Sequence, residues 1–309
     1  MSYYTEIKYF LRDEEYCGFS YEIRIKDIVF REKSDFQLIE VVDTIPFGRA
    51  LITDGLLMIT EMDEKIYHEM MVHVPMSLIK EPRNVLIIGG GDGGCAREVS
   101  MYECVQKIDL VDIDKKIVDI TQKFFKTWNG VDFNKLTLYF QDGFEFLKSS
   151  KEKYDVILVD ISAPTEVAKE LYSKESFSRI ISLLSDEGVF VIQSESIYLT
   201  PNVAKYIINQ IENLVNFYGV YWVNVPSFLS PWSFVIGSKK NPPQTPKYSN
   251  LSSDKMKQLL VYSPQTHSAS FIIPPFIENY LKSNVSSEDL LDKDVLRKLF
   301  LLDDGKANK

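Results

Sequence analysis

The sequence predicts an α/β protein, in which a small N-terminal antiparallel β domain precedes a mostly parallel sheet with helices on both faces. Residues 20–60 turn often and contain alternating apolar and polar stretches, with Asp54-Gly55 as a hairpin signal. From Asn84 onward, apolar strand patterns alternate with helical ones. That rhythm is typical of a parallel sheet whose strands are connected by helices.

The chain has 309 residues, of which 45% are hydrophobic and 26% are charged. This length fits about two domains, and the composition is typical of a globular protein. We expect the β domain and its linking helix over residues 1–80 and the larger domain over residues 81–309. No apolar run approaches the roughly 18 residues that cross a bilayer, and the polar N-terminus lacks a signal-peptide core. We therefore expect a cytoplasmic protein with no membrane partner.

Two further classes of partner are not expected. The formal net charge is −9 and no basic patch is present, whereas binding to nucleic acid requires clustered Lys and Arg. His68 and His73 approximate a zinc motif but are five positions apart. Side chains at that spacing lie about 140° apart around a helix, so they cannot face one metal ion.

The spacing of hydrophobic residues and the positions of helix-breaking residues predict the individual helices and strands. A helix is predicted from Glu64 to about Leu78, where Tyr67, Met70 and Val74 form an apolar stripe at helical spacing. Strands are predicted at residues 84–88, 108–114, 136–140, 155–160, 188–194, 218–225 and 233–238, the last two as an antiparallel edge. Helices are predicted from about residue 96 and at residues 115–125, 175–184 and 201–215, with a surface loop at 241–250 and a polar tail containing one short helix at the end of the chain.

Three glycines mark a nucleotide site. Gly89, Gly91 and Gly94 form a GxGxxG pattern between a predicted strand and a predicted helix, which is the context that this fingerprint requires. Asp112 ends the next strand, where a carboxylate accepts hydrogen bonds from both ribose hydroxyls. Asp92 stands inside the turn, where it would repel the phosphates of a dinucleotide. A cationic, phosphate-free nucleoside of the sulfonium type therefore fits better than NAD or FAD.

Two further acids end the strands that follow. Asp142-Gly143 closes the third strand, where an acid can bind the adenine amino group, and Asp160 closes the fourth. Ligands of open α/β sheets bind at these carboxyl ends. An alkylamine must be neutral to attack carbon, although its unperturbed pKa is about 10. A carboxylate at Asp160 can orient such an amine and take up its proton.

Four segments together resemble the spermidine synthase (polyamine aminopropyltransferase) family. They are DGLLMITEMDEKIYHEMMVHVPM, VLIIGGGDGGCAREV, QDGFEFL and YDVILVDISAP. The resemblance implies an N-terminal β domain, a Rossmann-like sheet of the methyltransferase type, and a homodimer or homotetramer. It also implies transfer of the aminopropyl group of decarboxylated S-adenosylmethionine to a polyamine, which releases methylthioadenosine. The nucleoside is then a co-substrate, and no prosthetic group is expected.

The resemblance further implies the roles of individual residues. Asp160 matches the family's catalytic aspartate, and Asp92 matches the residue that binds the aminopropyl ammonium. The positions that match nucleoside-binding residues are Gln37, His68, Asp92, Asp112, Asp142 and Gly143, and those that match amine-binding residues are Tyr67, Asp92, Asp160 and Gln193.

The sequence departs from the family pattern around the amine pocket, at Met58, Ile161, Ala163, Val167 and Phe228. Ala163 replaces a carboxylate, whose hydrogen bond to an ammonium typically contributes about 1.5–3 kcal/mol. The departures count against a specialist for putrescine. Phe228 followed by Trp232 resembles members that accept longer polyamines, and Glu166 or Glu195 are candidates for restoring the missing charge.

The residues leave two other functions open. One is a methyltransferase that uses intact S-adenosylmethionine, against which Asp92 argues because the donor's carboxylate would approach it. The other is a non-catalytic protein that binds a nucleoside or a polyamine, which the change at Ala163 favours.

Overall fold

The N-terminal part of the protein is an antiparallel sheet. The structure is a computed structural model that describes residues 9–14, 20–162 and 168–284. The five strands pair in chain order, and they are β1 (Tyr9–Glu14), β2 (Ser20–Lys33), β3 (Leu38–Thr44), β4 (Gly48–Thr53) and β5 (Leu56–Thr60). The predicted hairpin at Asp54-Gly55 joins β4 to β5, and both residues have positive φ, as a tight turn of this kind requires.

A single helix connects this sheet to the rest of the chain. Helix α1 covers Glu64–Met76, close to the predicted span. Its residues Met71 and Val74 are fully buried in a core shared with the larger sheet. The division of the chain at residues 80 and 81 stays a prediction.

The larger sheet has seven strands in the order β11-β12-β10-β9-β6-β7-β8. Its strands are β6 (Asn84–Gly89), β7 (Lys107–Asp112), β8 (Leu136–Phe140), β9 (Tyr154–Asp160), β10 (Leu184–Ser196), β11 (Phe217–Val225) and β12 (Ser230–Ser238). Strands β6 to β10 run parallel, and β12 is antiparallel to both of its neighbours. The predicted α/β fold class is confirmed, and β11 and β12 form the predicted antiparallel edge, with β12 next to β10.

Helices cover both faces of the larger sheet. They are α2 (Gly94–Ser100), α3 (Lys115–Phe124), α4 (Gly143–Ser149), α5 (Lys174–Leu183), α6 (Pro201–Ile211), α7 (Ser253–Met256), α8 (Pro264–Ser270) and α9 (Pro275–Lys282). Alternate residues of β6 enter different cores: Leu86 and Ile88 pack on the side of α4 to α6, whereas Val85 and Ile87 pack on the side of α1 and α2. This alternation follows from the period of two in a strand.

Several elements differ from the sequence-based expectation. Strand β10 begins four residues earlier than predicted, with an irregular register before Val189. Helices α4, α7, α8 and α9 were not predicted, because helices of four to eight residues span too few turns to show a helical period. The predicted polar tail lies outside the described residues. In the described part of the chain, every helix falls short of the length and apolar character that crossing a membrane requires.

Glu69 holds the C-terminal segment against α1. Its side chain is 1% exposed, and its two carboxylate oxygens accept hydrogen bonds from the backbone N–H groups of Leu260, Val261 and Tyr262 at 2.7, 2.8 and 3.0 Å. Buried backbone donors must be paired, so this carboxylate satisfies three groups that the loop itself leaves open. Glu69 therefore has a structural role, although it directly follows the predicted site residues Tyr67 and His68.

We predict that Glu69→Gln lowers the free energy of unfolding by about 2 kcal/mol, because an amide nitrogen then faces backbone donors. Urea denaturation measures the effect. Glu278→Gln is the control, since Glu278 is half exposed and pairs only across one turn of α9 with Lys282. Equal stability of the two variants would contradict the assigned role of Glu69.

Candidate active site

The glycine-rich turn after β6 brings the backbone of two strands together. Gly89 and Gly90 have φ of +78° and +66°, a region that favours glycine. A Cβ atom on Gly89 would lie 2.0 Å from the carbonyl oxygen of Asp160, and the Gly90 N–H donates to that oxygen at 2.9 Å. The turn therefore fixes Asp160, at the end of β9, next to the start of the glycine loop.

A cavity of about 470 Å³ lies at the carboxyl ends of β6 to β9. Its walls come from both sheets. The sequence-predicted residues that line it are Gln37, Tyr67, Asp92, Asp112, Asp142, Gly143, Asp160 and Gln193. His68 is the one predicted site residue that does not appear among the described residues of the lining. The ends of four successive parallel strands thus bring their acids around one space, as the topology requires.

Asp112 lines the cavity at the end of β7. Its two carboxylate oxygens accept hydrogen bonds from the N–H groups of Gly91 at 3.0 Å and Asp114 at 2.8 Å. Burial nevertheless raises the pKa of Asp112 to about 6, and the nearby charges of Asp114 and Asp92 act in the same direction. The ionised carboxylate is therefore poorly compensated until a ligand donates further hydrogen bonds to it.

Asp92 and His68 form a buried pair behind the glycine loop. The carboxylate of Asp92 accepts a hydrogen bond from the Gly94 N–H at 2.7 Å, and Nε2 of His68 lies 3.3 Å from the same oxygen. Burial acts against the charged forms of both groups, but their mutual attraction lowers the pKa of Asp92 and raises that of His68. The His68 ring packs against Gly94, where a Cβ atom would lie 2.3 Å from it, and its expected contact with the nucleoside stays a prediction.

Asp160 combines burial with two hydrogen-bond donors. The Tyr67 hydroxyl donates to one carboxylate oxygen at 2.6 Å, and the Cys95 thiol donates to the other at 3.2 Å. Burial raises the pKa of Asp160, and the negative charge of Asp92 raises it further. A carboxylate with a raised pKa is a stronger proton acceptor, which suits a general base. Cys95 was not predicted as a site residue, because a lone cysteine after a glycine loop carries no specific signal.

A buried charge cluster supports His68 from the other side. Nδ1 of His68 lies 2.8 Å from Glu64, and the Arg97 guanidinium donates to both oxygens of Glu64 at 2.8 and 2.9 Å. Arg97 also donates to Glu98, which in turn lies 3.1 Å from Nε2 of His73. Burial by itself would raise the pKa of Glu64. The hydrogen bond from His68 and the charge of Arg97 outweigh burial and lower this pKa to about 2. The two histidines therefore contact different carboxylates.

The remaining two nucleoside-side residues are held by local contacts. Asp142 caps α4 by accepting a hydrogen bond from the Glu145 N–H at 3.0 Å. Gln37 donates from Nε2 to Asp114 at 3.0 Å, which ties the N-terminal sheet to the start of α3. Both side chains still line the cavity.

Two family models match the chain. The model described as the spermine/spermidine synthase domain matches residues 64–249, and the one described as the spermidine synthase tetramerisation domain matches residues 7–61. The chain belongs to the spermine/spermidine synthase family.

Relatives of known name and structure agree with this assignment. A polyamine aminopropyltransferase of Methanocaldococcus jannaschii is 37% identical over 267 residues, 84% of this chain and 90% of the relative. One of Desulforudis audaxviator is 35% identical over 264 residues, 84% of this chain and 94% of the relative. A spermidine synthase solved in complex with the transition-state analogue AdoDATO superposes with a TM-score of 0.81 at 28% identity, covering 90% of this chain and 98% of that one. The spermidine synthase of Thermotoga maritima gives a TM-score of 0.80.

Aromatic and polar side chains from β10, β12 and the segment between β11 and β12 form a further wall of the cavity. Phe228 and Trp232 pack with ring centroids 4.6 Å apart, and both line the cavity together with Met58. Gln193 donates to the carbonyl of Ile161 at 2.9 Å and to Glu195 at 3.1 Å. Of the other positions singled out by the sequence, Ala163, Glu166 and Val167 lie outside the described residues.

Glu195 lies at a β-bulge in β10, 6% exposed, and it also lines the cavity. Its φ of +61° is unusual for a residue with a side chain. The Ser233 hydroxyl on β12 donates to the Glu195 carbonyl at 2.8 Å, and the Glu195 N–H donates to the Gln193 side chain at 3.0 Å. The strained backbone thus places Glu195 on the cavity wall beside Gln193 and Trp232.

We predict that Arg97→Met lowers the free energy of unfolding by about 3–5 kcal/mol, because it removes the buried guanidinium that pairs with both Glu64 and Glu98. Urea denaturation followed by circular dichroism measures the change. Arg83→Met is the control, since Arg83 is half exposed and pairs with the exposed Glu81. A loss below 1 kcal/mol in Arg97→Met would show that the buried cluster is not stabilising.

Proposed function

We propose that this protein transfers the aminopropyl group of decarboxylated S-adenosylmethionine to an acceptor amine and releases methylthioadenosine. The observation that carries the proposal is that Asp92, Asp112, Asp142 and Asp160 surround a single cavity. Four carboxylates suit two cationic ligands, a sulfonium nucleoside and an amine. The spermidine synthase whose fold this chain shares was solved with a transition-state analogue, AdoDATO.

The donor is proposed to lie across the ends of β6, β7 and β8. Asp112 accepts hydrogen bonds from the ribose hydroxyls, and Asp142-Gly143 and Gln37 contact the rest of the nucleoside. Asp92 pairs with the aminopropyl ammonium, with His68 acting through Asp92 rather than on the ligand. Intact S-adenosylmethionine would bring its own carboxylate towards Asp92, so the donor of methyltransferases is disfavoured by like-charge repulsion.

The transfer is proposed to be an in-line displacement. The acceptor ammonium first gives one proton to Asp160, which Tyr67 orients through its 2.6 Å hydrogen bond. The neutral nitrogen then forms a bond to the methylene carbon next to sulfur, and the carbon–sulfur bond breaks with its electron pair left on sulfur. The leaving group is a neutral thioether, so no general acid is needed. Decarboxylated S-adenosylmethionine serves as co-substrate in this scheme, without a prosthetic group.

The acceptor is proposed to be a polyamine longer than putrescine. Gln193 and the aromatic pair Phe228–Trp232 line the acceptor side, and a methylene chain packs well against such rings. Glu195 offers a second carboxylate for an ammonium beyond the reacting one. This arrangement replaces the acid that the family pattern places at position 163.

The assay is release of methylthioadenosine from decarboxylated S-adenosylmethionine with a panel of diamines, triamines and tetraamines. We expect turnover with the wild-type protein, and kcat/KM at least tenfold higher for the longer amines. Asp160→Asn should lower kcat by about 10²–10⁴-fold while methylthioadenosine binds as before, because only the proton acceptor is removed. Asp186→Asn, an exposed acid at the opposite end of β10, is the control.

Tight binding of methylthioadenosine without turnover on any amine would instead support a non-catalytic nucleoside-binding protein. Methylation of an acceptor by intact S-adenosylmethionine would support a methyltransferase. Unchanged turnover in Asp160→Asn would remove Asp160 from the proposed role of base.

We predict that binding of methylthioadenosine weakens as pH falls through 6. Asp112 has a pKa of about 6 in the free protein, and only its ionised form accepts hydrogen bonds from both ribose hydroxyls. If ligand binds only the ionised form, affinity at pH 5 is about tenfold lower than at pH 7.5. Calorimetry over this range tests it, with Asp112→Asn as control. A matching decline in Asp112→Asn would assign the pH dependence to another group.

The N-terminal sheet is proposed to mediate assembly into a homodimer or homotetramer, since residues 7–61 match a family model described as a tetramerisation domain. Light scattering at several protein concentrations distinguishes the two. The cytoplasmic location stays a prediction.

A further inference from the structure

Asp114 lies between the two sheets just outside the nucleoside side of the cavity. It is 2% exposed and follows β7, where it caps α3 by accepting a hydrogen bond from the Lys116 N–H at 3.0 Å. The cavity lining contains its neighbours Asp112 and Gln37 but, among the described residues, not Asp114 itself. Any effect of this carboxylate on a ligand must therefore pass through other side chains.

One oxygen of Asp114 holds the turn that connects β2 to β3. It accepts hydrogen bonds from the Ser34 hydroxyl at 2.7 Å and from Nε2 of Gln37 at 3.0 Å. The Ser34 hydroxyl in turn accepts from the N–H groups of Phe36 and Gln37 at 3.1 and 3.0 Å, which shapes the turn itself. The conformation of this turn is thus set by a carboxylate that belongs to the larger sheet.

The contact also decides which end of the Gln37 amide is available to a ligand. An ionised carboxylate only accepts hydrogen bonds, so the NH₂ group must face Asp114. The carbonyl oxygen is then the end of the amide that is oriented as an acceptor. A ligand that meets Gln37 must offer a donor, such as a ribose hydroxyl or an adenine amino group.

Asp114 also supports the ribose site from its backbone. Its N–H donates to Asp112 at 2.8 Å, so the same residue contacts both cavity-lining groups that come from different sheets. Its buried carboxylate accepts three hydrogen bonds, from Ser34, Gln37 and Lys116, and holds these donors more rigidly than a neutral acceptor would. Positioning of this kind lowers the entropy lost when a ligand binds.

We propose that Asp114 is a positioning residue that sets the two walls of the nucleoside site, holding Gln37 as a hydrogen-bond acceptor and Asp112 as the ribose acceptor. The inference rests on the proposed function, because it assumes that the cavity takes an adenine nucleoside. In this arrangement, Gln37 of the N-terminal part contributes to nucleoside affinity because Asp114, which follows β7 of the larger sheet, holds its side chain in place.

The test is calorimetric binding of methylthioadenosine to Asp114→Asn. Asparagine is a good helix N-cap, so the start of α3 is retained while Gln37 and Ser34 lose their charged acceptor. We expect affinity to fall at least tenfold, with the KM for the acceptor amine changed less than twofold. Glu32→Gln is the matched control, because Glu32 pairs with Lys116 across the same two elements at an exposed position.

A double-mutant cycle with Gln37→Ala separates positioning from general loosening of the fold. We expect Gln37→Ala to weaken methylthioadenosine binding in the wild type and to add less than twofold in the Asp114→Asn background. If Asp114→Asn does not fold, Ser34→Ala tests the same contact, and we expect a loss of threefold or more.

Three results would overturn the inference. The first is undiminished affinity for methylthioadenosine in Asp114→Asn, or in Ser34→Ala if Asp114→Asn does not fold. The second is additive effects of the two substitutions in the double-mutant cycle. The third is a rise in the KM for the amine that matches the loss of nucleoside affinity. A wild-type protein that does not bind methylthioadenosine would overturn the proposed function as well, so the two failures are distinguishable.

Discussion

Mutual repulsion among buried carboxylates is the constraint on which the site depends. Asp92, Asp112 and Asp160 lie around one cavity, where low dielectric strengthens every interaction between charges. Burial is the largest cause of the raised pKa values of Asp112 and Asp160, and the negative charge of Asp92 raises both further. The arrangement is tolerable because the protein compensates part of the charge internally and leaves the remainder for cationic ligands.

Internal compensation comes from α1 and α2. His68 on α1 faces Asp92, and Arg97 on α2 pairs with Glu64, so positive and negative groups alternate from the cavity into the core. Removing one cation from such a series leaves its neighbours with uncompensated charge. The packing of α1 on α2 is therefore part of the electrostatics of the site, although neither His68 nor Arg97 lines the cavity.

The ligand cavity is also where the two sheets meet. Gln37 from the N-terminal sheet and Asp112 from the larger sheet both contact Asp114, and Phe228 packs against the cores of both sheets. Because residues of both sheets line the cavity, the position of the N-terminal sheet also sets the shape of the cavity. Tyr67, at the start of α1, joins these walls to Asp160.

Much of this protein was determined locally by its sequence. The glycine pattern at residues 89–94 and the acids at the ends of four strands predicted the fold class and five of the residues that line the cavity, because local period and turn chemistry act over a few residues. Gln37, Tyr67 and Gln193 were expected only from the resemblance to the family. Contacts between side chains distant in the chain were decided only by the tertiary structure. Three such contacts join elements that no local pattern relates. They are the hydrogen bond from the Cys95 thiol to Asp160, the ion pair of His68 with Asp92, and the hydrogen bond from Ser34 to Asp114. Burial and the distances between charges, which set the pKa values and hence the chemistry, exist only once those elements have packed.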